Sequence, residues 1–318
     1  MNEVNFVAVP PLGLGKFDDP VRTATGERRA FVELSSLKTL WFNTGTLCNL
    51  ACNNCYIQSS PTNDHLVYLT EIEVLEFLDE LPTVGIEVEE IAFTGGEPFM
   101  NPDFLCMIDA AASRGYRVLV LTNAMRPMMK CTDELLRLRN RHGDKLTVRV
   151  SLDHYTQKWH DLYRGPHAFE RALAGLRWLS QHDFHVCLAG RTIWRESEPA
   201  LRDGFAKLCE REGIAVDTAD PASLVLFPEM DEKRDVPEIT EACWSILNID
   251  PNDLMCASSR MVVKRKGAGR PVVLPCTLLP YDKQFELGLT LGEAAESVTL
   301  NHPNCSAFCV LGGGSCIA

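Results

Sequence analysis

The chain has 318 residues, with 43 acidic and 31 basic side chains that give a formal net charge of −12 at pH 7. This acidic balance disfavours nucleic acid as a partner, because binding to a phosphate backbone requires a basic surface. The chain has 13 cysteines but neither an apolar run of about 18 residues nor a secretion signal, so we expect a cytoplasmic protein that does not enter a membrane.

The length accommodates one large α/β domain and a smaller appendage. Residues 1–36 are rich in turn-forming residues, and we expect an irregular segment there with a short strand near Arg29–Leu34. Residues 37–235 alternate between short apolar runs and helical patterns, which predicts the main domain. Residues 236–318 hold six of the cysteines and are expected to form a small cysteine-rich domain.

The main domain is predicted to contain six strands separated by five helices. We expect strands at Thr39–Asn43, Glu90–Phe93, Val118–Thr122, Leu146–Leu152, His185–Gly190 and Ser223–Phe227. We expect helices at Thr70–Leu81, Pro102–Arg114, Asp133–Arg141, His167–Gln181 and Pro199–Glu212. Strand–helix alternation indicates parallel strands with right-handed crossovers, and these units are too few to close an eight-unit barrel. The expected fold class is therefore α/β, with an open partial (β/α)6 TIM-like barrel.

The first of these helices shows why the pattern predicts helices. Thr70 and Glu73 have the spacing of a capping box at its start. The apolar residues that follow recur at helical intervals. We expect one apolar stripe made of Ile72, Leu75, Leu78 and Leu81.

Three closely spaced cysteines follow the first strand, as Cys48-x3-Cys52-x2-Cys55, and Tyr56 comes next. A cubane iron–sulfur cluster normally takes four thiolates. A set of three leaves one iron without a protein ligand, and an open metal position is where a substrate or cofactor binds. The alternative interpretation is three structural thiols or part of a zinc knuckle.

A glycine-rich turn, Thr94-Gly95-Gly96-Glu97-Pro98, follows the second strand. Its two glycines allow the backbone to approach a ligand closely and to adopt a positive φ. Because the carboxyl ends of parallel strands share one rim, we expect this turn and the cysteine loop to lie together.

Residues Thr46 to Tyr56 resemble the signature of the radical S-adenosylmethionine (SAM) enzymes, and the glycine-rich turn resembles the methionine-binding turn of that family. The resemblance extends over residues 38–227. It implies that Cys48, Cys52 and Cys55 hold a 4Fe–4S cluster whose open iron binds SAM. Reductive cleavage of SAM would then give a 5′-deoxyadenosyl radical that abstracts hydrogen from a substrate.

The resemblance also implies which residues contact SAM. Glu97 is expected near its ammonium group, Asn123 near its ribose and Arg191 near its carboxylate. His154 stands where the family often has glycine, which puts the local turn in doubt. Ordinary polar residues at strand ends are the alternative interpretation of the later positions. The full set is Tyr56, Thr94, Gly95, Gly96, Glu97, Asn123, Ser151, Asp153 and Arg191.

The C-terminal region is expected to contain a β-hairpin around Gly267-Ala268-Gly269, with a cysteine at each end. It resembles the SPASM or twitch extensions of radical SAM enzymes, which hold auxiliary iron–sulfur clusters. No Cys-x2-Cys pair follows Cys55, which favours one auxiliary 4Fe–4S cluster over two. Zinc takes the same ligands and is the alternative. The expected ligands are Cys256, Cys276 and two or three of Cys305, Cys309 and Cys316.

These features predict a radical SAM oxidoreductase of the maturase type that acts on a peptide or a small molecule. The partners expected with it are that substrate and an external reductant such as flavodoxin or ferredoxin. The alternative from another class is a non-catalytic iron–sulfur protein for electron transfer or redox sensing. An RNA-modifying enzyme of the same family is disfavoured by the acidic charge.

Overall fold

The computed structural model describes residue 13, residues 15–53 and residues 55–312. Cys316, one of the predicted auxiliary ligands, lies outside these ranges. The strands are β1 (Phe31–Val32), β2 (Thr39–Asn43), β3 (Glu90–Thr94), β4 (Arg117–Thr122), β5 (Leu146–Ser151), β6 (His185–Arg191), β7 (Leu224–Phe227), β8 (Ser259–Val263), β9 (Val272–Leu274) and β10 (Val298–Thr299). The α-helices are α1 (Glu71–Thr83), α2 (Phe104–Ser113), α3 (Arg126–Met129), α4 (Thr132–His142), α5 (Gln157–Arg164), α6 (Ala168–Gln181), α7 (Glu198–Glu212) and α8 (Cys243–Leu247).

The main sheet has the strand order β7-β6-β5-β4-β3-β2-β8-β9. Strands β2 to β7 are parallel to their neighbours, and one or two helices connect each consecutive pair. The predicted α/β class and the open partial barrel are therefore confirmed. The six predicted strands of the main domain agree with the structure to within one residue at each end, and its five predicted helices to within two. The strand predicted near Arg29–Leu34 is present as the two-residue β1.

The predicted hairpin is present, and it extends the sheet of the barrel. Strand β8 pairs in parallel with β2, and β9 pairs antiparallel with β8. The short strand β1 pairs antiparallel with β10, so that segments from both ends of the described chain meet. The sheet thus continues across the boundary that we predicted near residue 235.

Helix α1 begins as predicted but turns a different face inward. Thr70 caps the helix in a complete capping box with Glu73. The buried residues are Val74, Phe77, Leu78 and Leu81. Ile72 is 69% exposed, so the predicted stripe through it is wrong. The buried positions follow an i, i+3, i+4, i+7 pattern, which places Ile72 on the solvent side.

Alternate residues of the strands pack into two cores. Leu40 and Phe42 of β2 face the helices outside the sheet. Trp41 between them faces inward and packs with Met261 and with residues of the C-terminal region such as Phe308. The C-terminal region therefore packs into the open interior of the barrel. Within the described ranges, no helix is long and apolar enough to cross a membrane.

Candidate active site

The cysteine loop leaves the end of β2 and is held by backbone hydrogen bonds from several directions. The amide of Cys48 donates to the carbonyl of Ser60 at 3.0 Å, and the amide of Asn53 donates to the carbonyl of Tyr163 at 2.7 Å. The loop is thereby attached to the segment that follows it and to α5. These contacts fix the backbone that carries the three thiols.

The glycine-rich turn packs directly against the segment that leads into the cysteine loop. The amide of Gly96 donates to the carbonyl of Gly45 at 2.8 Å, and the amide of Glu97 donates to that of Leu47 at 3.1 Å. A Cβ atom on Gly96 would lie 2.2 Å from the Leu47 oxygen. Gly95 has a φ of +142°, and its Cβ would lie 2.6 Å from the Gly45 oxygen. Both positions therefore require glycine.

A cavity of about 140 Å³ lies between the cysteine loop and the ends of the strands. All three sulfur-bearing residues of the predicted cluster line it, together with every predicted SAM contact except Glu97. The loop contributes Cys48, Cys52, Cys55 and Tyr56, and the strand ends contribute Thr94, Gly95, Gly96, Asn123, Ser151, Asp153 and Arg191. The expected convergence at one rim is thus present in the structure.

Glu97 does not line this cavity, and both of its carboxylate oxygens accept hydrogen bonds from the protein. The Thr122 hydroxyl donates to Oε1 at 2.7 Å, and the Asn123 amide donates to Oε2 at 2.9 Å. Glu97 is 1% exposed, and burial raises its pKa to about 7. In this position Glu97 joins the glycine-rich turn to the end of β4.

Cys48 is the most deeply placed thiol of the triplet. Burial raises its pKa to about 12, although the Leu50 amide donates to Sγ at 3.4 Å and favours the thiolate. The side-chain amide of Asn123 lies 3.9 Å from the same sulfur and donates to the Asn49 side chain at 2.9 Å. A metal that binds here must therefore displace a proton.

Arg164 is a site residue to which our sequence reasoning gave no role. It ends α5, lines the cavity and donates to both oxygens of Asp153 at 2.9 Å. Burial raises the pKa of the Cys52 thiol, and the nearby Arg164 guanidinium acts in the opposite direction. The sequence feature that could have pointed to Arg164 is the Arg164-Gly165 pair, at which the helix ends.

Two further cavities adjoin the first. One of about 120 Å³ lies inside the barrel and extends from Ser151 and Arg191 towards Trp41, Arg149 and Phe308. The other, of about 500 Å³, opens outside the cysteine loop. Its walls are Cys52, Cys55 and neighbouring loop residues on one side and residues 230–233 with Asn304 on the other.

The C-terminal cysteines predicted as auxiliary ligands converge on a small apolar cavity of about 20 Å³. Cys256 precedes β8 and Cys276 follows β9, so the hairpin brings them together. Cys305 and Cys309 come from one π-helical turn, Cys305–Val310. All four line the cavity. In the part of the chain that the structure describes, no three His, Cys, Asp or Glu side chains form a site for a single metal ion.

Comparisons with known proteins identify the family. The radical SAM superfamily model matches residues 42–202, about half of the chain. The AdoMet-dependent heme synthase of Oleidesulfovibrio alaskensis is 30% identical over 169 residues, covering 53% of this chain and 41% of the relative. The subtilosin biosynthesis protein AlbA of Bacillus subtilis is 32% identical over 270 residues, covering 79% of this chain and 57% of the relative. The chain thus spans only about half the length of these relatives.

A crystal structure of Streptococcus suis SuiB bound to the precursor peptide SuiA has the same fold. Its TM-score is 0.60 at 13% identity, covering 83% of this chain and 66% of that chain. The family match includes the cysteine loop, the glycine-rich turn and α5. The predicted family is therefore confirmed: this chain belongs to the radical SAM superfamily of enzymes.

Proposed function

We propose that Cys48, Cys52 and Cys55 hold a 4Fe–4S cluster and that the adjoining cavity of about 140 Å³ holds SAM. This proposal rests mainly on one observation: the three cysteines line the same cavity as the glycine-rich turn and the polar residues at the strand ends. The residues fit the cofactors, since thiolates are the usual ligands of such a cluster and three of them leave one iron open. When bound and reduced, the cluster supplies the electron for reductive cleavage of SAM.

The residues of this chain bind and orient the nucleotide. Gly95 and Gly96 allow the turn to pack against the segment that leads into the cysteine loop, and both line the cavity in which we place the methionine part of SAM. Arg191, at the end of β6, is our candidate for its carboxylate. Arg164 fixes Asp153 through two hydrogen bonds and places a positive charge near Cys52.

For Glu97 we propose a positioning role, in place of direct contact with the ammonium group. Its two oxygens hold the end of β4 through Thr122 and Asn123. Asn123 in turn approaches Cys48. Glu97 thereby aligns the glycine-rich turn with the cysteine loop.

We further propose one auxiliary 4Fe–4S cluster held by Cys256, Cys276, Cys305 and Cys309. Their common cavity supports this assignment, as does the proximity of Cys305 to Cys256 and Cys276, which raises its pKa beyond the effect of burial. The domain boundaries at residues 36 and 235 remain our prediction for the division between the N-terminal segment, the barrel and the auxiliary-cluster region.

A peptide is the substrate class that we propose. AlbA is named for the biosynthesis of a bacteriocin, and SuiB is bound to a precursor peptide. The cavity of about 500 Å³ outside the cysteine loop offers a route for an extended chain, and Asp231, Glu232 and Lys233 line it. A small-molecule substrate is the second candidate, favoured by the similarity to a heme synthase. Flavodoxin or ferredoxin remains our expectation for the reductant.

Anaerobic reconstitution with iron, sulfide, SAM and dithionite tests the main proposal. The native chain should produce 5′-deoxyadenosine, and Cys52→Ala should abolish the product. Cys106→Ala is the matched control, because Cys106 is exposed on α2, and this variant should keep full activity. A native chain that makes no 5′-deoxyadenosine above a cluster-free control would instead support the non-catalytic iron–sulfur protein.

Iron analysis tests the auxiliary cluster separately. Two cubane clusters contain about eight irons per chain, and one cubane contains about four. Cys276→Ala should lower the count by about four and leave SAM cleavage in place. An iron count of about four in the native chain would contradict the auxiliary cluster.

A further inference from the structure

Arg260 is a charged residue in the interior of the protein. It lies in β8 and is 1% exposed. Its guanidinium donates four hydrogen bonds, all of them to backbone carbonyl oxygens. Nε donates to Ala294 at 2.8 Å, Nη1 to Cys256 at 2.7 Å and to Ser259 at 2.8 Å, and Nη2 to Glu296 at 3.0 Å.

These carbonyls satisfy the donors of Arg260 but do not neutralise its charge. A buried cation is costly unless an opposite charge accompanies it. Buried Arg29 has such a partner, 2.5 Å away in Glu238, and so does the largely buried Arg164, 2.9 Å away from Asp153. Within residues 15–53 and 55–312, no Asp or Glu side chain forms an ion pair with Arg260.

The ionisable side chains whose deprotonation would favour the charged form of Arg260 are Cys256 and Cys276. Both belong to the four cysteines that line the C-terminal cavity. A cubane cluster held by four thiolates carries a net negative charge. A cluster bound by these cysteines would therefore supply the negative charge that no described carboxylate provides to Arg260.

We propose that Arg260 is a positioning residue and counter-charge for the auxiliary cluster, an inference that rests on the proposed presence of that cluster. Through its bond to the Cys256 carbonyl, Arg260 fixes the backbone of one ligand. Through its charge it stabilises the reduced, more negative form of the cluster. A nearby positive charge therefore raises the reduction potential of the cluster.

The test compares Arg260→Gln, which removes the charge, with Arg260→Lys, which keeps it. Both are made in the Cys52→Ala chain, so that the auxiliary cluster is observed alone. Midpoint potentials are measured by dithionite titration followed by electron paramagnetic resonance, and iron is counted in the same samples. Arg260→Gln should lower the equilibrium constant for one-electron reduction about tenfold, equivalent to about 59 mV. Arg260→Lys should shift it by much less.

The outcomes separate this inference from the proposal on which it rests. A Cys52→Ala chain that binds no iron would remove the auxiliary cluster itself, and with it the role of Arg260. A Gln variant with a full iron count and the parent potential would overturn the role of Arg260 alone. If Arg260→Gln loses its iron while Arg260→Lys keeps it, the result supports the counter-charge role of Arg260. If both variants lose their iron, the result rejects that role.

Discussion

Single residues determine how closely the glycine-rich turn can approach the cysteine loop. Gly96 leaves no room for a side chain, because the atom in its way is the Leu47 carbonyl oxygen, which belongs to the backbone. A flexible side chain could move aside, but this backbone also accepts the hydrogen bond from the Glu97 amide. The contact therefore couples the two motifs that define the site.

Gly96→Ala should destabilise the protein by about 1–3 kcal/mol, the usual cost of forcing an extra methyl group into a packed region. It should also lower the iron content of the first cluster, since the cysteine loop must shift. Gly269→Ala is the matched control, because nothing lies within 4 Å of its Cβ position, and it should cost less than about 0.5 kcal/mol. Urea unfolding and iron analysis measure both effects. Equal stability of the two variants would contradict the close contact.

His160 is a residue whose burial has a consequence for pH. It is 0% exposed, and neither ring nitrogen has a hydrogen-bond partner among the residues that the structure describes. Burial lowers its pKa to about 4, with nearby Arg164 acting in the same direction and Asp153 and Asp161 opposing it. Between pH 6.5 and 4 the unfolded chain binds a proton at this position and the native protein does not. Stability is therefore lost as the pH falls through this window.

His160→Leu should remove that loss, because leucine has no proton to bind. The native chain should become less stable than the variant by up to about 3 kcal/mol as the pH falls from 7 to 4. Urea unfolding at pH 7, pH 5 and pH 4 measures the change. His185→Gln, at an exposed position in β6, is the control and should keep the native pH dependence. The same acid sensitivity in His160→Leu and the native chain would exclude His160 as its source.

At the scale of elements, the start of α1 is joined to the C-terminal hairpin. Glu73 completes the capping box with Thr70 and also forms an ion pair with Lys264, which follows β8. The side chains of Glu73 and Lys264 are 14% and 19% exposed, so the pair is partly shielded from solvent. One carboxylate therefore stabilises a helix end and a contact between distant segments.

Thr70→Ala should cost about 1 kcal/mol through loss of the cap. Lys264→Met should cost a similar amount, and the double variant should lose less than the sum by at least about 0.5 kcal/mol, because both changes act on Glu73. Denaturant unfolding of the native chain, the two single variants and the double variant gives this coupling energy. Lys207→Met, which breaks an exposed pair with Asp203 in α7, should cost less than about 0.5 kcal/mol. If the free-energy losses of Thr70→Ala and Lys264→Met are strictly additive in the double variant, then Glu73 does not couple the helix cap to the ion pair.

The repeating strand–helix pattern was sufficient to predict the barrel, because buried parallel strands and amphipathic helices leave strong local signals. The convergence of the cysteine loop and the glycine-rich turn on one cavity was also predictable, since each of them follows a parallel strand. Helix α5 was missed because it has only eight residues and buries only His160. Arg164 was left without a role because its bond to Asp153 depends on packing between segments. The face of α1 was misassigned because Ile72 is apolar but lies on the solvent side.

At the scale of the whole molecule, the C-terminal region is part of the barrel. Strand β8 covers the edge of β2, and the inner residues Trp41 and Leu119 pack in one core with Phe308. Such a relation between sheet and extension is a tertiary property, which local sequence patterns do not specify. The predicted hairpin itself was correct, but its partner strand lies more than 200 residues earlier in the chain.

A chain shortened to residues 1–235 should therefore fail to form a stable monomer. It would expose the edge of β2 and the apolar inner face around Trp41, and both features promote association. Size-exclusion chromatography with light scattering should show aggregates. The full-length Cys276→Ala chain is the control, because it lacks an auxiliary ligand but keeps β8, and it should stay monodisperse. A shortened chain that is monomeric and unfolds cooperatively would show that the barrel is independent.

The pairing of β1 with β10 has a consequence for biosynthesis. Phe31 and Val32 bind opposite Thr299 and Val298 in the short antiparallel ladder. A ribosome releases the first of these segments long before it makes the second. Strand β1 must therefore wait for its partner until β10 has been made, and this ladder closes only after every strand of the main sheet has been synthesised.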